Sequence, residues 1–222
     1  MKRKREEEEN GEVDNKTEFV QLSKDSYITR RTLDIDSTTE EFNQLLRLRP
    51  ERQDKIKIYG RVSDVPRYQK VFGDFSYSFS GLTLEPELTI PSLVQKCIGY
   101  MKKRYPPEDQ WTGALVNWYM DGRQYIGPHS DDERDLVAGA PIGSFSFGAT
   151  RTFRVTVKDH FKKQVYVCKR DFELKHGTVV VMHGNMQKEF KHQIPCKKKE
   201  AGVRINVTVR AFVGNKRVKT TT

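Results

Sequence analysis

From Thr112 onward the chain alternates apolar and polar residues with a period close to two. Leu115 to Tyr119, Ile142 to Phe147, Thr152 to Val157, Gln164 to Val167, Thr178 to Met182 and Val203 to Phe212 form six such runs, separated by Gly, Pro, Asp and Lys/Arg turns. A period of two sends alternate side chains to opposite faces, so short runs at this spacing predict the strands of a sandwich or barrel. The N-terminal part reads differently. Asp36-Ser37-Thr38-Thr39-Glu40-Glu41 carries a capping-box pattern ahead of Phe42, Leu45, Leu46 and Leu48, which predicts a short amphipathic helix ended by Pro50. Pro91 opens a second helix with Leu93, Val94, Cys97, Ile98 and Met101 on its inner side, stopping at Tyr105-Pro106-Pro107. Between the helices, Lys55 to Gly60 alternates charged and apolar residues as a half-buried strand does, with Tyr59 at its exposed end. Phe75, Tyr77 and Phe79 share one face of a strictly alternating run, the usual mark of core aromatics.

Composition narrows this picture. A chain of 222 residues can bury one sizeable core, and no internal repeat divides it. The first 25 residues open with Met1-Lys2-Arg3-Lys4-Arg5 and run straight into Glu6 to Glu9, a charge block that buries nothing and predicts a disordered tail. Its basic cluster fits a nuclear-import signal and a plain solvated tail equally well. The net charge of +10 points to a polyanionic partner, nucleic acid first and an acidic membrane surface second, because Lys and Arg that neutralise phosphates release condensed counterions. Val65 to Asp74 mixes basic and aromatic residues without a period, as an ordinary loop with exposed aromatics does and as a surface that stacks on bases would. Cys97, Cys168 and Cys196 are odd in number and far apart, which suggests neither a disulfide framework nor a zinc ribbon and fits a reducing compartment. No apolar run is long enough to span a bilayer and no signal-peptide stretch opens the chain, so the expectation is a soluble intracellular monomer.

The chemistry collects at Tyr125-Ile126-Gly127-Pro128-His129-Ser130-Asp131-Asp132. In an extended segment residues i and i+2 share a face, so the His129 imidazole and the Asp131 carboxylate can converge on one ion. With a second histidine they would form the facial triad that leaves adjacent coordination positions open on non-haem Fe(II). His160 and His176 sit in lysine-rich turns and His183 ends a strand; His192 leads back toward the last strand and is the preferred third ligand. On that last strand Arg204, Asn206, Thr208 and Arg210 share one face. Either the face is solvated, or its two arginines hold the ends of a small dicarboxylate. Asn117 and Tyr119 likewise share a face and offer neutral hydrogen-bonding groups.

Asn117-x-Tyr119, His129-x-Asp131, His192 and Arg204-x5-Arg210, in this order, resemble the AlkB family of Fe(II)- and 2-oxoglutarate-dependent dioxygenases over about Lys55 to Phe212. Val65-Pro66-Arg67, Phe79-Ser80-Gly81-Leu82-Thr83-Leu84, the stretch from Gly127 to Glu133, and Ser144-x-Ser146-Phe147-Gly148 are similar to its eukaryotic DNA-repair branch, homologue 2, with homologue 3 more distant. The resemblance implies an α+β, mainly β fold: a double-stranded β-helix (jelly-roll) core over 111–215, N-terminal helices and a nucleotide-recognition lid over 26–110, a disordered tail over 1–25 and a basic tail over 216–222. It implies that His129, Asp131 and His192 bind Fe(II). Arg204 with Tyr119 would hold the distal carboxylate of 2-oxoglutarate, and Arg210 with Asn117 the keto-acid end, with Asn206 and Thr208 on the same face. Tyr77, Phe79 and His129 would sandwich a flipped base, Asp132 would read its exocyclic amine, Arg67 would lie in the lid and Lys197, Lys198 and Lys199 would face the DNA backbone. Tyr59 stands at a wedge position where that branch usually has Phe. The implied reaction removes methyl groups from N1 of adenine and N3 of cytosine in DNA, with etheno adducts as a further class, and releases formaldehyde and succinate. Dioxygen is consumed and ascorbate helps in vitro; the implied location is the nucleus. RNA or a single strand is the alternative substrate for the same chemistry.

Overall fold

The structure, a computed structural model, describes residues 17–33, 39–58, 60–132 and 135–212. In chain order its elements are β1 (Glu18–Gln21), β2 (Ser26–Thr32), α1 (Thr39–Arg47), β3 (Lys55–Ile58), β4 (Arg61–Asp64), β5 (Tyr68–Phe72), β6 (Tyr77–Phe79), β7 (Leu82–Leu84), β8 (Pro86–Glu87) and α2 (Ser92–Arg104). There follow β9 (Ala114–Tyr119), β10 (Ile126–His129), β11 (Ile142–Gly148), β12 (Arg151–Val157), β13 (Lys169–Leu174), β14 (Thr178–Gly184), α3 (Met186–Glu189), β15 (Phe190–Ile194) and β16 (Arg204–Val209). An eight-stranded sheet runs β1-β2-β14-β11-β16-β9-β5-β8, and a four-stranded sheet runs β10-β15-β12-β13. Two hairpins, β3–β4 and β6–β7, form small sheets of their own.

Alternation along β9 and β16 sets the layers. Ala114, Val116 and Trp118 of β9 and Ile205, Val207 and Val209 of β16 pack with the inner face of α2 in one buried cluster. That face is Leu93, Val94, Cys97, Ile98 and Met101, as the helical period predicts. Each large apolar side chain so buried contributes about 1.5–3 kcal/mol. The Trp118 indole N–H donates to the Leu45 carbonyl at 3.0 Å, which satisfies one acceptor near the end of α1. The intervening residues of β9 and β16 point the other way, toward the smaller sheet. Tyr119 there joins Phe153, Val155, Phe172, Leu174, Val180, Met182, Phe190 and Ile194 in a second cluster.

Three boundaries differ from the sequence reading. Residues 18–21 lie within the expected disordered tail, yet they pair with β2 as a hairpin, and β2 pairs along its length with β14. The charges of Lys24 and Asp25 occupy the turn, while Ser26 and Ile28 are fully buried. The turn seats against Gly184 (φ +67°), where any Cβ would collide with the Asp25 carbonyl. The expected division at 110/111 does not separate structural units either, because β2 and β5 hydrogen-bond to β14 and β9 within one sheet. Finally, Val165 makes only an isolated bridge to Ser23, and the strand in this region is Lys169–Leu174. It is the outer strand of its sheet and buries only Phe172 and Leu174, so its pattern looks like that of a turn. The charged residues 1–16, Tyr59 and the basic tail 216–222 lie outside the described residues.

Candidate active site

The facing surfaces of the two sheets enclose a cavity of about 480 Å³ including its mouth. Arg67, Tyr77, Asn117, Tyr119, His129, Asp131, His192, Asn206, Thr208 and Arg210 all line it, beside Ser144 and Phe153.

His129 on β10 and His192 on β15 are direct cross-strand partners, with ring centroids 4.2 Å apart. Asp131 follows β10 and turns its carboxylate inward: Oδ1 lies 3.7 Å from His129 Nε2, and Oδ2 lies 3.9 Å from His192 Nε2. One ligand atom from each of the three residues falls within 4.8 Å of the others. The His129 Nδ1–H donates to the Gly127 carbonyl at 2.9 Å, which fixes the tautomer that leaves Nε2 a free lone pair. Burial, with the neighbouring His129 acting in the same direction, pushes the His192 imidazole down to about 3, so it stays neutral across the working pH range. Burial opposes ionisation of Asp131, but the adjacent Arg210 and the two histidines outweigh it and hold the carboxyl well below its ordinary value. Two histidine nitrogens and a carboxylate are the donor set that a facial-triad Fe(II) requires, so the residues fit that ion.

Arg210 forms an ion pair with Asp131 at 2.9 Å and lies over the Tyr77 ring, 5.1 Å from its centroid. It is thus bonded to the carboxylate that faces the two histidines as well as lining the cavity. Arg204 is fully buried and does not itself line the cavity. Its Nη2 donates to Ser146 Oγ at 2.9 Å and its Cζ sits 5.1 Å from the Tyr119 centroid, while Nε and Nη1 have no partner. A buried guanidinium with free donors is costly unless an anion completes it. Asn206, on the same face, lines the cavity. Its amide already donates to Ser144 Oγ and the Phe145 carbonyl, and its oxygen accepts from Thr208, so this part of the face is an internally satisfied network.

Arg67 is buried and donates through Nε to Asn117 Oδ1 at 2.8 Å, which ties the lid side of the cavity to β9. Phe79 stands outside the lining, tilted on Tyr77 with ring centroids 5.5 Å apart. Asp132 is exposed and faces a neighbouring cleft between the 136–140 segment and α3. Lys197, Lys198 and Lys199 are exposed on a loop anchored by reciprocal backbone bonds, with Gly122 N–H donating to the Glu200 carbonyl and Lys197 N–H to the Gly122 carbonyl. A Cβ on Gly122 would strike the Lys197 carbonyl, so only glycine admits this approach.

Two further residues escaped the sequence reading. Gln187 on α3 accepts the Asp131 backbone N–H at 2.9 Å and so steadies the ligand loop. Arg151, which opens β12, is buried; its alternation in phase with Phe153, Val155 and Val157 is the signal that could have marked it.

His183, weighed as a ligand from sequence, lies elsewhere. It stacks on Tyr27 (centroids 4.4 Å apart, 6° between planes) and bonds to Thr29 at 3.1 Å. Burial pushes its imidazole down to about 4. The unfolded chain takes up this proton near pH 6.5 and the folded chain only near pH 4, so the folded state loses stability as pH falls through that window. Thermal melts of His183→Phe should fall less steeply between pH 6.5 and 4.5 than those of the parent; equal slopes would refute the assignment.

A match to the 2OG-Fe(II) oxygenase superfamily spans residues 25–210. The chain is 35% identical over 167 residues to DNA oxidative demethylase ALKBH2 of Bos taurus, covering 72% of this chain and 58% of that protein. It is 35% identical over 171 residues to its Mus musculus counterpart, covering 73% and 69%. Among solved structures, that of OsALKBH1 superposes with a TM-score of 0.53 at 19% identity, covering 88% of this chain and 99% of that one, which supports the common fold. The ligand cluster, the buried arginine face and these relationships agree: the chain belongs to the 2OG-Fe(II) oxygenase superfamily and, within it, to the AlkB family beside homologue 2.

Proposed function

We propose that this protein is an Fe(II)- and 2-oxoglutarate-dependent DNA demethylase that directly reverses N1-methyladenine and N3-methylcytosine. The carrying observation is the convergence of His129, Asp131 and His192 in a cavity that has Arg67 and Tyr77 on one side and an incompletely partnered Arg204 behind Tyr119. Bound iron and 2-oxoglutarate supply the oxidation of the N-methyl carbon, which leaves as formaldehyde while the keto acid becomes succinate. The chain's own share is placement. His129 and His192 present ring nitrogens, the latter neutral, Asp131 supplies the negative charge, and Arg210 keeps that charge ionised. Tyr77 offers a π-face to a base, and Arg67 is held over the cavity by Asn117. A methyl on N1 of adenine or N3 of cytosine blocks pairing and makes extrusion cheaper, which favours the damaged base. The net charge of +10 and the exposed Lys197–Lys199 loop suit a phosphate backbone, and DNA repair would place the protein in the nucleus.

The test is incubation of the protein with Fe(II), ascorbate and 2-oxoglutarate on matched single- and double-stranded DNA carrying one 1-methyladenine, read by mass spectrometry. Loss of the methyl by the intact protein and not by His129→Ala is the expected outcome. If 2-oxoglutarate turns over while both DNA forms keep the methyl, the DNA assignment fails and RNA becomes the substrate to try.

A further inference from the structure

Arg151 is almost completely buried at the start of β12, and its guanidinium is surrounded by neutral acceptors. Nη1 donates to the Asp121 carbonyl at 3.3 Å, and Nη2 donates to the Gln124 carbonyl at 2.9 Å and the Pro195 carbonyl at 2.8 Å. Nε has no partner. Carbonyl oxygens satisfy hydrogen-bonding capacity without cancelling charge. Among the described residues no carboxylate lies within ion-pair distance of Arg151. Asp121 and Glu200, the acids whose field reaches it, are themselves paired with Arg123 and Lys197.

The second cation of the neighbourhood is Arg204. Both guanidinia lie against one phenol ring, with Cζ atoms 5.6 Å (Arg151) and 5.1 Å (Arg204) from the Tyr119 centroid. Arg204 likewise meets no carboxylate among the described residues, and two of its nitrogens have no partner. Burial pushes Arg204 down to about 10, and repulsion from Arg151 acts in the same direction. Two buried positive charges around one side chain, neither with a carboxylate at ion-pair distance among the described residues, are expensive to fold, and an anion entering beside Tyr119 relieves both.

We infer that Arg151 is a specificity-determining residue for the co-substrate: a second positive charge behind Tyr119 that makes the pocket select a dicarboxylate keto acid over a monocarboxylate one. This rests on the reading of the cavity as a 2-oxoglutarate site. Arg204 supplies directed donors, and Arg151 supplies field without contact. Its anchoring to the turn 121–124 and to Pro195 holds that charge in place and prevents it from entering the cavity. A field of this kind acts more strongly on the distal carboxylate than on the more remote keto-acid end, because Coulomb attraction weakens with distance.

The experiment compares binding of 2-oxoglutarate with binding of 2-oxobutyrate, which keeps the keto acid and lacks the distal carboxylate, to Mn(II)-loaded protein by calorimetry. Arg151→Gln should weaken 2-oxoglutarate by about 10-fold and leave 2-oxobutyrate within about two-fold, whereas Arg151→Lys, which keeps the charge and loses the planar fork that reaches the three carbonyls, should retain the preference. An equal fall for both keto acids, or a preference lost in Arg151→Lys as fully as in Arg151→Gln, would assign Arg151 a purely structural tether and overturn the inference. No change in either variant would overturn it as well. If Arg151→Gln does not fold, Arg151→Met replaces it in the same comparison, and collapse of both neutral variants beside a folded, selective Arg151→Lys supports a requirement for the charge. Failure of the parent protein to bind either keto acid would instead remove the co-substrate reading itself.

Discussion

Asp131→Asn is expected to lower affinity for Mn(II), measured as a stand-in for Fe(II), by at least about 100-fold and to abolish demethylation, because Asp131 supplies the only negative charge among the three ligands. An amide can still offer an oxygen to the ion, but it cancels none of its charge. The same change removes one partner of Arg210, whose 2.9 Å ion pair with Asp131 is almost fully buried on both sides. Removing one partner of a buried pair costs about 3–5 kcal/mol. The substitution should therefore also lower the thermal midpoint of the metal-free protein, and the two readouts separate ligand loss from destabilisation. In the parent protein the stabilisation from Asp131 is fully present above the ordinary carboxylate pKa near 3.8 and is lost only as pH falls below it, since its folded value is depressed. Undiminished Mn(II) binding by Asp131→Asn would disprove the ligand assignment.

Arg204→Met is expected to act in opposite directions on function and stability. Removal of the guanidinium should raise KM for 2-oxoglutarate by about 100-fold, the range for losing a charge-assisted bidentate contact, with a smaller change in kcat because that contact persists from ground state to transition state. The protein itself should be as stable as the parent or more so. Arg204 is fully buried, Ser146 and Tyr119 are its side-chain partners, and a methionine of similar length replaces a charge that meets no carboxylate at ion-pair distance among the described residues. Steady-state kinetics and thermal melts decide the matter; an unchanged KM would exclude Arg204 from the co-substrate site, and a large loss of stability would mean the folded protein already neutralises its charge.

The parts of this molecule legible in sequence are those governed by a short period. The inner face of α2 follows from apolar residues at three- and four-residue spacing, and its five buried side chains are the ones the helical wheel selects. The polar face of β16 was open to two meanings, solvated or catalytic, until burial of Arg204, Asn206, Thr208 and Arg210 excluded the solvent. What the period could not supply was register. His183 and His192 are equally histidines near strand ends, and the pairing of β10 with β15 sets His192 opposite His129 while β14 carries His183 to Tyr27. Edge strands were the other gap. The strands β1 and β13, each at the edge of its sheet, carry charges because one side faces water, and this made them resemble tail and turn. Arg151 was hidden for a third reason: a charged residue opening an alternating strand is ordinarily solvated, and only three backbone carbonyls from distant turns show that this one is not.

The two-sidedness of β9 and β16 also bears on how such a chain can diverge. Each strand gives one face to α2 and the other to the cavity, so inserting or deleting a single residue would exchange the faces and send Ile205, Val207 and Val209 into the site while driving the arginines into the apolar layer. Point substitutions can be absorbed one at a time, but a change of length inside these strands destroys core and chemistry together. Descendants of this sequence can therefore lengthen or shorten more readily in the connections between strands, such as residues 195–203, the segment that carries the exposed Lys197, Lys198 and Lys199. Drift in length is channelled to the rim of the cavity, where it can alter which polymer docks while the oxidising centre keeps its register.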